Sequence, residues 1–287
     1  SMGSCKAEYW EVIKGFNNNI LLVKDDEGEK ILLAKGIGFG KNPGEKVEKT
    51  VEVDKVFAME NSQNKKNFKD LISHGDAKVI GMCEEVIYMI EQELGEELDE
   101  KIHISLTDHV AFAIKRIQNG EEIQNPFIVE TETLYKKEIE IAQKAARIIE
   151  DTMGIEIPYG ECGFIALHIH SARNKGRLSN TVKFTYVTNS IIEFIEDELD
   201  IYVDRQSLDF ARFSTHIRFA IERILNETTI KNELLKVIKK TYKDSYKLAK
   251  KASRIIEDQL DVDVPDDELG YLAIHIKRFK EGVKDQV

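Results

Sequence analysis

Cysteine is scarce in this chain: 287 residues hold three, at Cys5, Cys83 and Cys162, with no CxxC pair among them. An odd, widely spaced set argues against both a disulfide framework and a structural zinc site, so a reducing, cytoplasmic compartment is expected. Long apolar runs are missing as well. No window approaches the roughly 18 consecutive apolar residues that a membrane span requires. The opening SMGSCKAEYW carries no apolar signal segment, and Ser1 ahead of Met2 reads as a cloning remnant. Basic charge is in deficit, with 41 Lys and Arg against 52 Asp and Glu and a net charge of -11. That balance argues against nucleic-acid binding through bulk charge alone, though it leaves room for a small binding module attached to acidic domains. Neither a P-loop pattern (GxxxxGK[ST]) nor a basic recognition helix occurs, and no cofactor or metal is expected.

What the chain does have is an internal repeat. Residues 142–172 (AQKAARIIEDTMGIEIPYGECGFIALHIHSA) and 249–279 (AKKASRIIEDQLDVDVPDDELGYLAIHIKRF) are identical at 14 of 31 ungapped positions, at a constant offset of 107. The same offset carries His109 onto His216, Tyr135 onto Tyr242 and His168 onto His275. A register held that long marks a duplicated domain, with copies at 65–174 and 180–287 and the polar SARNKGRLSN between them.

Both copies have the helical period. Val79, Cys83, Val86, Ile87, Ile90 and Leu94 recur at three- and four-residue spacing, as do Val187, Ile191, Phe194, Ile195 and Leu199. Ser105-x-x-Asp108 is expected to cap the helix that holds His109. Pro158 and Pro265 stand where a proline suits the start of each copy's last helix. About five helices per copy are expected.

Residues 1–60 read differently. Trp10–Phe16, Ile20–Val23, Ile31–Ala34 and Val51–Met59 predict four antiparallel strands, turned at the three asparagines 17–19 and at DDEGEK. So small a sheet has little core, and self-association is the expected remedy. The predicted fold is therefore a multidomain chain: a small antiparallel β-sheet domain followed by two duplicated all-α helical bundles.

FNNNILLV, AKGIGFGK and DKVFAME, followed by a duplicated helical domain with one histidine in each TDH/STH segment and one in each ALH/AIH segment, resemble the BglG/SacY/LicT family of transcription antiterminators. The resemblance runs over nearly the whole chain. IHISLTDHVAFAIKR, NPFIVETETLY and GFIALHIHSA look most like the glucose-type members of Gram-positive bacteria. By this resemblance residues 1–60 are a co-antiterminator (CAT) RNA-binding domain, and 65–174 and 180–287 are phosphotransferase-system regulation domains. The family's first domain is a dimeric sheet that grips an RNA hairpin.

The matching RNA-binding positions are Lys14, Asn17, Asn19, Lys35, Gly36 and Phe39. Their chemistry suits the task. Asn17 and Asn19 each offer a donor and an acceptor, Phe39 stands between Gly38 and Gly40 with little to obstruct its ring, and Lys14, Lys35 and Lys41 suit phosphates. A plain asparagine turn and a core phenylalanine would leave the same letters. Some relatives carry arginine at the Lys35 position, so a bidentate contact there is not assumed. Residues 14–49 hold seven Lys and six Asp or Glu, and affinity is expected to depend on shape and dimerisation more than on charge.

His109, His168, His216 and His275 match the family's phosphorylation sites. Neutral imidazole is a good nucleophile near pH 7 and takes a phosphoryl group on nitrogen. A histidine on a helix is commonly structural, but here each copy keeps both of its own while many neighbours differ. His170 is a weaker candidate because its counterpart is Lys277; His103 aligns with Phe210 and His74 has no equivalent, so both are read as structural. Asp108 beside His109 is a candidate for tuning that imidazole, and Thr215 replaces it in the second copy.

The resemblance implies a homodimeric antiterminator that binds a leader-RNA hairpin and keeps the overlapping terminator from forming, for expression of a glucose permease. A phosphotransferase-system sugar permease (enzyme II) would phosphorylate the first regulation domain and inhibit, and the phosphocarrier protein HPr would phosphorylate the second and activate. The charge added by each phosphoryl group would act by resetting the dimer, away from the RNA site. The chain is then a substrate of phosphoryl transfer and not an enzyme. The alternatives are a DNA-binding activator with the same regulation domains and a histidine phosphocarrier.

Overall fold

A computed structural model describes residues 7–121, 124–125, 128–173, 180–228 and 230–284. The chain divides into two compact units, Ser1–Lys175 and Gly176–Val287. The first holds strands β1 (Tyr9–Asn17), β2 (Ile20–Asp25), β3 (Gly28–Leu33), β4 (Lys46–Glu48) and β5 (Lys55–Phe57). Helices α1 (Ser62–His74), α2 (Ala77–Leu94), α3 (Ile102–Gln118), α4 (Ile128–Leu134), α5 (Lys136–Met153) and α6 (Tyr159–Arg173) follow in the same unit. The second unit holds α7 (Asn180–Leu199), α8 (Leu208–Leu225), α9 (Leu235–Thr241), α10 (Lys243–Leu260) and α11 (Asp266–Lys284). Among the described residues the stretch 65–174 holds most of α1 and all of α2–α6, one helix more than the expected five, and 180–287 holds the five helices α7–α11. The expected linker begins inside α6 and ends at α7; residues 174–179 lie outside the described ones.

The sheet is antiparallel in the order β4-β1-β2-β3-β5, so it has five strands where the sequence predicts four. The fourth predicted strand, Val51–Met59, contracts to β5. An extra strand, β4, forms in the Gly/Pro-containing segment and pairs Val47 with Trp10. Three residues are too few to print a period, and only the partner strand reveals them.

Burial explains why β2 reads as an unbroken apolar run. Its side chains alternate between two faces, and both are covered. Leu21 and Val23 pack with Trp10, Val12, Leu32, Ile37 and Val47 on one face. Ile20 and Leu22 pack with Phe16, Ile31 and Leu33 on the other, together with Phe68 of α1 and Ile80 of α2. The partner that so small a sheet requires is, on this face, the start of the first helical domain and not a second copy of the sheet. Asp25 at the β2–β3 turn, its side chain enclosed though the residue is half-buried, accepts from Lys30 at 3.2 Å and Lys49 at 2.8 Å. Burial alone would raise its carboxyl, but these two lysines hold it well below the usual carboxylate range.

The helical core of the first unit is the predicted stripe: Val79, Cys83, Val86, Ile87 and Ile90 of α2 meet Leu106, Val110 and Ile114 of α3, Ala142, Ala145 and Ile149 of α5, and Ile165 and Ile169 of α6. Asp76 caps α2 by accepting from Lys78 N and Val79 N. The expected Ser105–Asp108 cap is not made. Helix α3 begins at Ile102, a turn earlier, where Asp99 Oδ1 accepts from Lys101 N at 2.9 Å, and Ser105 and Asp108 are interior positions. Pro158 and Pro265 immediately precede α6 and α11 at Tyr159 and Asp266, as read from the sequence.

Helix α2 approaches the sheet closely because residue 81 is glycine. A Cβ there would stand 2.7 Å from Asn17 Nδ2 and 3.1 Å from Phe16 Cβ. Gly81→Ala is therefore expected to destabilise the first unit by about 1–3 kcal/mol through overpacking, read by denaturant unfolding of the full chain. An unchanged midpoint would show that α2 does not seat this closely on the strand.

Candidate functional site

The register of β1 against β2 slips twice, between Val12 and Lys14 and again between Gly15 and Asn17, before the hairpin closes at the Asn17–Ile20 pair. Such bulges bend a strand and re-aim its side chains. The turn they produce is held by its own asparagines: Asn17 Oδ1 accepts from Asn19 N at 2.8 Å, and Asn19 Oδ1 accepts from Gly36 N at 2.9 Å. The second bond docks the Lys35–Gly40 loop on the turn, and Gly38 N adds a bond to Asn18 O at 2.8 Å. A Cβ at Gly38 would lie 2.2 Å from Asn17 O, so only glycine permits this approach.

Asn17, Asn19, Gly36 and Phe39 thus share one corner. Phe39 is 75% exposed and no part of a core. Lys35 is exposed, and Lys14 Nζ lies over the Phe16 ring at 5.6 Å. The asparagines are not the open donor–acceptor pairs that the sequence suggests. Both Oδ1 atoms are committed to backbone N–H groups, and both Nδ2 groups donate to one carboxylate, Glu85 of α2, at 3.3 Å from Asn17 and 2.5 Å from Asn19. Glu85 stands one helical turn after Gly81 and so on the same face of α2.

The histidines pair across helices. In the first copy His109 of α3 and His168 of α6 are buried, with ring centroids 5.1 Å apart. His109 Nε2 lies 2.8 Å from Glu161 Oε2; an ionised carboxylate only accepts, so this contact puts a proton on Nε2. Burial, with the His109 charge adding to it, pushes the His168 imidazole well below its ordinary value and keeps it neutral. In the second copy His216 of α8 and His275 of α11 lie 5.0 Å apart. There Glu268, the repeat counterpart of Glu161, accepts from Arg223 through both oxygens at 2.8 and 2.9 Å. His216 Nε2 is left 3.9 Å from it, beyond hydrogen-bond reach. Burial would raise the Glu268 carboxyl, but His216 and Arg223 beside it hold it below the usual carboxylate range. The same residues, repeated, thus hold their carboxylate in two arrangements: on the histidine in one copy, on the arginine in the other. The second pair also lines a groove of about 610 Å³ with Arg212, Thr215, Phe219 and Arg278.

The other three histidines lie outside these two pairs. His103 is buried against Glu84 at 2.8 Å and stacks on Phe57 of β5 at 3.8 Å between ring centroids, so it seals the sheet to the helices. His74 Nδ1 lies 3.0 Å from Asp70 O. His170 lies against the Tyr135 ring in a tilted arrangement at 3.9 Å between centroids and contacts Glu138 at 3.2 Å; its counterpart Lys277 lies over Tyr242 at 3.7 Å. Burial pushes the Cys83 and Cys162 thiols up to about 12 and about 11, which leaves both inert. No group of His, Cys, Asp and Glu among the described residues could hold a metal ion, and no helix among them is long and apolar enough to cross a membrane.

A model of the CAT RNA-binding domain matches residues 10–66, and a model of the PRD domain matches twice, at 84–172 and 189–279. Transcription antiterminator LicT of Bacillus subtilis (strain 168) is 34% identical over 272 residues, which cover 93% of this chain and 98% of that protein. The chain belongs to the family of CAT- and PRD-containing transcription antiterminators. The beta-glucoside operon antiterminator of Dickeya chrysanthemi is 31% identical over 96% of this chain and 99% of its own length. Protein GlcT of Staphylococcus aureus (strain Newman) is 32% identical over 95% and 97%. The crystal structure of GlcT CAT-PRDI matches with 42% identity and a TM-score of 0.49, covering 57% of this chain and 98% of that one.

Within this family frame, sequence reasoning missed the acidic and basic partners of the site, Glu85, Glu161, Arg223 and Glu268. Three of them carried a signal. Glu161 and Glu268 are identical at the repeat offset, as are Arg116 and Arg223. Glu85 carried none.

The second PRD makes a pH prediction. Burial, aided by the positive charges of His216 and Arg278, lowers His275 from 6.5 to about 4. Between those values the unfolded chain binds a proton that the folded domain refuses. Its contribution is therefore complete above pH 6.5 and lost as the pH falls through that window. The loss should approach about 3 kcal/mol near pH 4, and His275→Gln should flatten the profile. An NMR titration placing His275 near 6.5 would refute this.

Proposed function

We propose that this chain is an RNA-binding transcription antiterminator, in which a hairpin of leader RNA is held by the CAT corner and binding is set by phosphorylation of the PRD histidines. The observation that carries the reading is the corner itself: Asn17, Asn19 and Gly36 are locked into one rigid turn–loop unit from which Phe39 projects its ring into solvent. An exposed ring on a hydrogen-bonded loop is what base stacking requires. Lys14 and the exposed Lys35 serve as phosphate contacts.

The histidine pairs supply the switch. His168 and His275 are neutral near pH 7, the form able to accept a phosphoryl group, and the acceptor set is His109, His168, His216 and His275. Adding about two negative charges beside Glu161 or Glu268 sets like charges against each other where little water screens them. The carboxylate must then move away, and the two arrangements of the two copies supply the alternatives it has. The donors are the sugar permease of the phosphotransferase system for the first PRD and HPr for the second, the sugar is glucose, and the working form is a cytoplasmic homodimer. The domains are CAT at 1–60 and PRDs at 65–174 and 180–287. The chain catalyses nothing itself.

Gel shifts of the full chain with a hairpin from the leader upstream of a phosphotransferase permease gene test the reading. Phe39→Ala should cost about 1–3 kcal/mol of RNA affinity and leave thermal unfolding unchanged, because the ring has no core contacts to lose. A wild-type chain that ignores every such hairpin would overturn the assignment. Replacing His109 and His168 together by Ala should give antitermination of a reporter without the inducing sugar; continued sugar dependence would remove the first PRD as the inhibitory site.

A further inference from the structure

The asparagine corner is already occupied, and its occupant comes from the regulatory part of the chain. The Oδ1 atoms of Asn17 and Asn19 each accept a backbone N–H, from Asn19 and Gly36, and the donors the pair turns away from the loop are its two Nδ2 groups. Both converge on the two oxygens of Glu85. Gly81, one turn earlier on α2, brings the helix so near that a single Cβ would meet the Asn17 amide at 2.7 Å. A nucleotide cannot enter that space while α2 is seated. The seam continues along the helix: Lys55 of β5 pairs with Glu91 at 2.5 Å, and the His103 ring, held by Glu84, stacks on Phe57. Three glutamates of one helix, 84, 85 and 91, thus take part in holding the sheet.

We infer that Glu85 competes with RNA for Asn17 and Asn19, so that helix α2 of the first PRD is a built-in blocker of the CAT corner in the same chain. This rests on the RNA-binding reading above. Two converging N–H donors select a ligand with paired acceptors, and a carboxylate and the phosphate or acceptor edges of RNA share that chemistry. The carboxylate also repels RNA through its charge. RNA therefore meets a corner that is competent only in the fraction of molecules in which α2 has let go, and its apparent affinity falls by that fraction. A change at His109 or His168 need not reach the RNA to regulate it, because α2 packs against α3 and α5 of the same core and carries Glu85 with it.

The test is RNA affinity of the full chain with Glu85 replaced, using the leader hairpin as probe and the side-chain amide NMR signals of Asn17 and Asn19 as a second readout that needs no RNA. Glu85→Ala should shift both amide signals and tighten hairpin binding by about tenfold, the gain expected when a minor competent state becomes the major one. Glu85 is partly exposed, and circular dichroism checks that the variant folds; Glu85→Gln, which keeps one acceptor and removes the charge, should give a smaller gain in the same direction and serves if the alanine variant does not fold. Equal or weaker binding by the variants, with wild type binding normally, overturns the inference and leaves the RNA-binding reading intact. Weaker binding would make Glu85 a support that holds the asparagines in their reading pose. Absence of binding by wild type and variants alike defeats the RNA reading itself.

Discussion

A sheet of fewer than 60 residues cannot bury both of its faces with its own side chains, and everything distinctive about the first unit follows from how the second face is closed. Phe16, Ile20, Leu22, Ile31 and Leu33 would lie open to water; Phe68 and Ile80 cover them. At roughly 25 cal/mol per Å² of apolar surface, closing this face is a large favourable term for the sheet. It brings α2 onto β1, and with α2 come Gly81 and Glu85. The polar contacts along the seam add direction to an association that burial drives. Charge-assisted bonds to a half-exposed carboxylate are modest beside a closed apolar face, so they can be exchanged for a ligand without unfolding the sheet.

The histidine centres show a second use of burial. An imidazole kept from water resists a proton, and His168 and His275 are held neutral for that reason. A neutral ring in a packed site is stable as it stands, whereas a phosphorylated one would carry charge into the same volume. The duplication allows one sequence pattern to be seen twice. Glu161 bonds His109 while Glu268 bonds Arg223, although all four have matching positions in the repeat. Different surroundings account for it: His109 is almost wholly enclosed, whereas His216 keeps about a quarter of its side chain exposed beside an open groove. A carboxylate with two available partners is the kind of bistable element that a local charge can bias.

The phosphorylation mechanism expected from the sequence places the switch away from the RNA site, because the acceptor histidines are distant in the chain. The distance of the histidines themselves is no obstacle to coupling here. One helix, α2, lines the same core as the histidine-bearing α3 and α6 on one side and touches the asparagine corner on the other. Packed cores move between discrete arrangements more readily than they deform, and a helix shared by two sites transmits such a step.

The sequence by itself determined the duplication, the helical stripes of both copies, the prolines at Pro158 and Pro265 and three of the strands. These are local or periodic properties: a repeat, a 3.6-residue period and a turn of asparagines are all written in neighbouring letters. Tertiary structure alone decided β4, whose three residues mean nothing until Trp10 pairs with Val47. It also decided which face of the sheet is closed from within, and that the donors of Asn17 and Asn19 face a glutamate more than 60 residues away. Contacts of that range cost loop closure and are made only when burial on both sides of them repays it. No local pattern records the outcome.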